Sequence, residues 1–238
     1  MLKMKMFKTL SEKKLVALGN KHGYEGNYIF IRHKCVASFI DELIQEHDLK
    51  TALNVGCGLG IMEQFIKKPI RMLGIDVDDS AIKTAKGLAR RTGMDYTYRT
   101  GSIASLGKEK YDMIIISEVL EHVIHDDKLL SSLKKFLAKK GIVVLSVPNM
   151  WQPRNIFRRA FFMELKIMDQ THLREYSLGS IKNMIKKCGF KIIKKKVSVL
   201  YFPLENYIKI IIPEDSKARS IILKIFPRLA SHFIFAVR

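Results

Sequence analysis

Between residues 51 and 148 the chain alternates short apolar runs with stretches of helical periodicity, and few folds accommodate that rhythm. "TALNVG" is an apolar run ending in glycine, and "IMEQFIKK" reads as a helix. "RMLGID" is a strand, and "DDSAIKTAKGLARR" is a helix that begins with Asp and Ser and ends with Arg, as caps and the helix dipole favour. "MDYTYRT" is β-prone. "YDMIIIS" and "GIVVLSVP" are apolar on both faces, as strands buried inside a sheet are. Between these last two, "DDKLLSSLKKFLAKK" reads as an amphipathic helix with an acidic start and a basic end. Strands separated by helices of about 10 to 15 residues predict an α/β fold, a doubly wound and mostly parallel sheet with helices on both faces.

The flanks extend this unit. "YIFIRHKCVASFIDELIQEH" (28–47) places Ile29, Val36, Phe39, Ile40, Leu43 and Ile44 at helical spacing. Residues 1–20 form a basic start, helical or mobile. After Pro148 the composition turns basic and aromatic over "NMWQPRNIFRRAFFMELKIMDQTHLREYS", which reads as a lid-like insertion spanning 149–177. "LGSIKNMIKKCGF" returns to a helix, "KIIKKKVSVL" is a strand, and "ARSIILKIFPRLASHFIFAVR" a helix followed by a last strand. With no repeats and no low-complexity linker, the expectation is one domain over 1–238, with an N-terminal helical segment at 1–48.

A net charge of +19 predicts anionic partners: nucleic acid, phospholipid headgroups or an acidic small molecule. Lysines spread along the whole chain are equally read as solvated faces. Cys35, Cys57 and Cys188 form no CxxC pair, which fits a reducing cytoplasm and argues against structural zinc. No apolar core of signal-peptide length follows the basic start. The longest apolar stretch, 220–237, is interrupted by Lys224, Pro227, Arg228 and His232.

The turn "LNVGCGLG" brings backbone N–H groups and a helix start toward a ligand. Its glycines, Gly56, Gly58 and Gly60, are spaced GxGxG, and Ile61 stands where a dinucleotide fingerprint needs its third glycine. About twenty residues on, "GID" puts Asp76 at a strand end, where a carboxylate can accept both ribose hydroxyls of an adenosine. The alternative, that Asp76 begins the next helix, is weakened by Asp78 and Asp79, which suit that role.

"LNVGCGLG", "LGIDVD", "GSIASL", "YDMIIISEVLEHV" and "GIVVLSVPN" occur in the order and spacing of class I S-adenosylmethionine-dependent methyltransferases. The chain resembles their small-molecule branch, which includes the ubiquinone-biosynthesis O-methyltransferases, over roughly 28–150. The resemblance implies a seven-stranded, mostly parallel sheet with helices on both faces and an antiparallel last strand. It implies S-adenosyl-L-methionine as cofactor. Gly56, Cys57, Gly58 and Gly60 would form the loop under its methionine part, Asp76 would bind the ribose, and Val77 would pack on the adenine. Ser102 and Ile103 would occupy the adenine-edge position, Glu118 would lie near cofactor and substrate, and Arg32 would be either a contact for the cofactor carboxylate or a surface residue. Two positions depart from the family. Asn54 stands where it usually has Asp or Glu, keeping an acceptor but losing the charge. Ser102 stands where it often has an acid.

Methyl transfer from a sulfonium is an in-line displacement. It asks the protein to hold the nucleophile, exclude water and sometimes remove a proton. His122, in "EVLEHV" read as a helix start, and His172, in the insertion, are the candidates for proton handling. His122 has a purely structural alternative. Glu118, Glu121, His122 and His172 also match a pattern that binds a divalent metal in small-RNA 2′-O-methyltransferases; the leading reading has no metal. "SEVL" replaces the Asn-Pro-Pro-aromatic loop of exocyclic-amine methylases, and no cysteine has the Pro-Cys context of cytosine-C5 enzymes.

Residues 151–166 interleave Trp151, Phe157, Phe161 and Phe162 with Arg154, Arg158 and Arg159. The segment is read as an ordinary lid helix, as an anionic-membrane contact admitting a lipid substrate, or as a nucleic-acid track. The expected protein is a cytoplasmic methyltransferase, with peripheral association at an anionic membrane. Its acceptor is small or lipid-like and is methylated at oxygen. The rivals are a metal-dependent RNA 2′-O-methyltransferase and a nonenzymatic S-adenosylmethionine-binding protein.

Overall fold

A computed structural model describes residues 11–21, 27–160, 172–200 and 216–238. Seven strands form one sheet in the order β3-β2-β1-β4-β5-β7-β6, flanked by helices. The strands are β1 (Thr51–Val55), β2 (Arg71–Asp76), β3 (Tyr96–Thr100), β4 (Tyr111–Ser117), β5 (Leu137–Pro148), β6 (Ile192–Val197) and β7 (His232–Val237). β1 pairs parallel with β2, and β2 with β3. β7 enters between β5 and β6 and runs antiparallel to both, as expected of the last strand. The chain packs as two compact units, with the boundary after Ile115 inside β4.

In the first unit, α1 (Glu12–Lys21) and α2 (Asn27–His47) precede β1, and α3 (Asp79–Thr92) links β2 to β3. Leu15 of α1 and Phe30 of α2 pack with Leu59, Ile61, Ala81 and Leu88, so the N-terminal helices share a core with the glycine turn. Asp78 caps α3, its Oδ1 accepting from the N–H groups of Ser80 and Ala81, and Gly93 ends the helix at φ 69°. The Asp112 carboxylate accepts from the Lys50 and Thr51 N–H groups and the Thr51 hydroxyl, tying β4 to the start of β1.

In the second unit, α4 (Asp126–Ser132), α5 (Pro153–Ala160), α6 (Leu178–Lys187) and α7 (Lys217–Ile225) accompany β5 to β7. β7 is buried along its whole length and the final eight residues of β5 likewise, the pattern of strands covered on both faces.

Three helical expectations are corrected. "IMEQFIKK" forms only a 3₁₀ turn, Met62–Phe65. Met62, Glu63 and Gln64 are all buried there, so the turn lacks the polar solvent face of an amphipathic helix, and Pro69 disfavours helical geometry at the residue before it. "EVLEHV" is likewise a 3₁₀ turn, Leu120–His122, and the helix proper starts at Asp126. The next helical pattern stops at Ser132, passes through a 3₁₀ turn to Phe136, and enters β5 at Leu137, four residues before Gly141. Leu137 lies over Gly141, where an added Cβ would come within 2.8 Å of it.

Candidate functional site

The glycine turn is built by the strands beside it. Gly56 and Cys57 donate their N–H groups to the Ile75 carbonyl at 2.8 and 3.1 Å, and Gly60 donates to the Cys57 carbonyl at 3.1 Å. Gly56, Gly58 and Gly60 all have positive φ. At Gly60 two constraints coincide: φ is 70°, and a Cβ there would lie 2.9 Å from the Tyr98 hydroxyl and 3.1 Å from the Ala85 methyl. Asp76 ends β2 with its carboxylate turned to this loop, Oδ2 accepting from the Gly58 N–H at 2.8 Å and Oδ1 from the Asp78 N–H at 3.0 Å. Asp78 is the helix cap, so Asp76 is not spent on that role. Val77 beside it is 77% exposed, a large apolar side chain facing solvent. Ser102 caps a short 3₁₀ turn (Ile103–Ser105), its hydroxyl accepting from the Ala104 N–H, and Ile103 is half-buried. Arg32 lies half-buried on α2. Burial pushes the Cys57 thiol far up, with Glu63 and Asp76 adding to the shift, so it is no nucleophile.

Beneath the loop lies a carboxyl group that pattern reading missed. Glu63 is 0% exposed, and its Oε1 accepts from Asn54 Nδ2 at 2.8 Å. Burial drives its pKa up to about 7 against the lowering pull of its own backbone and of Asn54. An acidic residue in a 3₁₀ turn looks like a surface group in sequence; only the burial of all three neighbouring positions shows otherwise.

In the second unit, β4 ends in a strained turn. Glu118 has φ 57°, a conformation non-glycine residues rarely adopt. Its N–H donates to the Ser146 carbonyl, its Oε1 accepts from the Ser146 hydroxyl at 2.7 Å, and its Oε2 lies 3.0 Å from His232 Nε2. Ser146 Oγ also lies 2.8 Å from Ser117 Oγ. His232 Nδ1 is 2.9 Å from Ser231 Oγ, whose own hydrogen goes to the Val199 carbonyl. Ser231 therefore accepts from Nδ1–H. His232, on the last strand, is the second residue that motif spacing did not reveal.

The Leu120–His122 turn carries the other cluster. One ligand atom each from Glu121, His122 and His172 lie within 4.8 Å of one another. Glu121 is fully buried with Oε1 4.0 Å from His172 Nε2, the two imidazoles meet edge to face at 4.7 Å, and His122 is exposed. The Leu173 N–H donates to the Glu121 carbonyl, holding His172 beside the turn. Glu118, the fourth member of the sequence pattern, is held instead by Ser146 and His232. Two imidazoles and a carboxylate suit a divalent ion, and they equally suit proton transfer with a buried counter-charge.

The insertion is pinned at both ends. Asn149 donates to the Arg228 and Ala230 carbonyls, and Asn155 bonds both the Met150 carbonyl and Glu175. Tyr176 donates to Asp126 Oδ2 at 2.7 Å, and Arg174 pairs with the same carboxylate at 2.7 Å. Burial raises the Asp126 pKa, but Arg174 and Tyr176 outweigh it and hold the group below its usual range. Trp151 is exposed and Phe157 half-buried. Phe161, Phe162 and the side chains of Arg154, Arg158 and Arg159 lie outside what the structure describes.

A model of the methyltransferase domain family matches residues 29–195. The chain belongs to that family. A ubiquinone biosynthesis O-methyltransferase from Nitrosomonas europaea is 33% identical over 116 residues, 47% of this chain and 49% of that one. A ribosomal protein L11 methyltransferase from Thermosipho africanus is 35% identical over 96 residues, 40% of this chain and 36% of that one. The chain spans about half or less of the length of the curated relatives it matches. Magnesium protoporphyrin IX methyltransferase from Synechocystis PCC 6803, solved with bound SAH, superposes with a TM-score of 0.63 over 96% of this chain and 100% of its own, at 16% identity. The fold is that of the class I S-adenosylmethionine-dependent methyltransferases.

Within this methyltransferase fold, each unit gathers its own part of the expected residues. Gly56, Cys57, Gly58, Gly60 and Asp76 form one hydrogen-bonded turn, with Val77 adjoining it and Asn54 at its base. His122 and His172 meet, 50 residues apart in sequence.

Proposed function

We propose that the chain transfers the methyl group of S-adenosyl-L-methionine to a small-molecule or lipid-like acceptor, at oxygen. The observation that carries this reading is the Asp76 carboxylate held on the Gly58 N–H, at the end of β2 and facing the glycine turn. In this reading Asp76 receives the ribose, Val77 covers the adenine, Ser102 and Ile103 lie at its edge, and Gly56–Gly60 run beneath the methionine part. Glu118 borders cofactor and acceptor. His122 takes the acceptor's proton, with His172 and buried Glu121 stabilising the charge that forms. S-adenosyl-L-methionine, when bound there, would supply an activated methyl group whose bond to sulfur breaks as the bond to the acceptor oxygen forms, leaving a neutral thioether. The relative named for ubiquinone biosynthesis supports a small or lipid-like acceptor. A net charge of +19 supports peripheral contact with an anionic membrane. No helix among the described residues is long and apolar enough to cross one.

The Glu121–His122–His172 cluster favours one second reading, a divalent-metal-dependent RNA 2′-O-methyltransferase. An ion held there would supply Lewis-acid activation of an acceptor hydroxyl. Radiolabelled methyl transfer into cell extract, separated into lipid, RNA, protein and small-molecule pools, decides between them. Label in the small-molecule or lipid pool is expected; label confined to RNA, abolished by a chelator, replaces the first reading with the second.

A further inference from the structure

The chain lacks the acid that its family usually carries two residues before the first glycine, and Asn54 stands there. Yet Asn54 is joined to a second carboxyl group. Its Nδ2 donates to Glu63, which the 3₁₀ turn after the glycine loop delivers from nine residues further on. The polar atoms around this pair are unbalanced. Asn54 Oδ1, Glu63 Oε2, Gln64 Oε1 and the Tyr98 hydroxyl are all buried with no hydrogen-bond partner. Asn54 Oδ1 and Gln64 Oε1 can only accept, Glu63 Oε2 accepts whenever its carboxyl is ionised, and the Tyr98 hydroxyl lies next to the Cβ position of Gly60. Buried acceptors in such excess mark a place short of positive charge.

We propose that Glu63 is the buried counter-charge for the ammonium group at the methionine end of the cofactor, moved from strand β1 to the 3₁₀ turn. This rests on the reading that the glycine turn and Asp76 hold the cofactor. Being fully buried, Glu63 acts through its field and through the orientation of Asn54, not by contact; it is a positioning residue. In a site of low dielectric that field is felt over several ångströms. A cation above the loop draws Glu63 into its ionised form, which burial alone resists.

Calorimetric titration of wild type, Glu63→Gln, Asp76→Ala and the exchanged pair Asn54→Asp/Glu63→Gln tests this. The ligands are S-adenosylmethionine, S-adenosylhomocysteine and 5′-methylthioadenosine, of which the last lacks the α-ammonium and α-carboxylate of the methionine end. Glu63→Gln is expected to weaken the first two by roughly tenfold or more and to leave the third unchanged. The exchanged pair is expected to bind all three within about threefold of wild type. Equal loss for all three ligands in Glu63→Gln means a merely structural role and overturns the proposal, as does loss for S-adenosylmethionine alone. If Glu63→Gln does not fold, the exchanged pair decides, because it keeps one acid and one amide in contact; failure to restore binding there counts against the proposal. Asp76→Ala separates the two claims. If it leaves affinity intact, the loop reading itself is wrong; if it weakens binding while Glu63→Gln does not, only the role of Glu63 falls.

Discussion

His232 Nε2 lies 3.0 Å from Glu118 Oε2, joining the last strand to a residue held at φ 57° where β4 ends. Both side chains are nearly buried. The strain at Glu118 is sustained by three anchors: its own N–H on Ser146, the Ser146 hydroxyl, and His232. Glu118 in turn leads directly into the turn that carries Glu121 and His122. His232→Ala leaves the nearly buried Glu118 carboxylate without its imidazole neighbour, and is expected to cost about 1 to 3 kcal/mol of stability. His232→Gln, which keeps a donor, should cost less than half of that. Denaturant unfolding of both variants measures the difference, and equal losses would show that the contact with Glu118 contributes nothing.

Glu63 makes stability depend on pH in a known direction. Its folded pKa of about 7 lies above the usual carboxylate value, because burial disfavours the charge. Folding therefore favours the protonated form. The stabilisation is complete below about pH 4.5 and is lost as pH rises to about 7, a total of a few kcal/mol. Cys57 and Tyr98, both near Glu63, stay neutral throughout this window, since burial pushes their groups well up. The ligand-free protein should melt at a higher temperature relative to Glu63→Gln at pH 5 than at pH 7.5. Identical differences at the two pH values would contradict the burial of an ionisable Glu63.

Gly60→Ala puts a methyl group 2.9 Å from the Tyr98 hydroxyl in a backbone conformation that alanine resists. A loss of roughly 1 to 3 kcal/mol is expected. Tyr98→Phe, which removes a buried hydroxyl with no hydrogen-bond partner, should be neutral or stabilising. It should also recover part of the Gly60→Ala loss. Thermal unfolding of the two single variants and the double variant reports this coupling.

His122 and His172 separate proton handling from metal binding. If the pair handles protons, each alanine variant lowers kcat by about 10²-fold or more with little change in cofactor affinity, and chelator leaves the wild type active. Activity lost to chelator and restored by a divalent ion would assign the cluster to metal.

The sheet was legible because its signals are local. "YDMIIIS" and "GIVVLSVP" can hardly be anything but buried strands, and Asp78 with Gly93 bounds α3 at both ends. The glycine turn and Asp76 were legible because their spacing reflects one physical unit, the crossover from β1 to β2. What escaped depends on contacts distant in sequence. Nothing near Glu63 says that a charged residue will be buried, and its partner Asn54 is nine positions away. His232 meets Glu118 across 114 positions, through a strand that inserts between two others. The 3₁₀ turns at Met62–Phe65 and Leu120–His122 resemble helix starts in sequence because over four residues the two periods look alike.

The most direct test of the account is titration of the purified chain with S-adenosylmethionine, alone and as Asp76→Ala. The account predicts saturable one-to-one binding, weakened about tenfold or more in Asp76→Ala while the fold stays intact by circular dichroism. Absence of binding, or binding indifferent to Asp76, would contradict it.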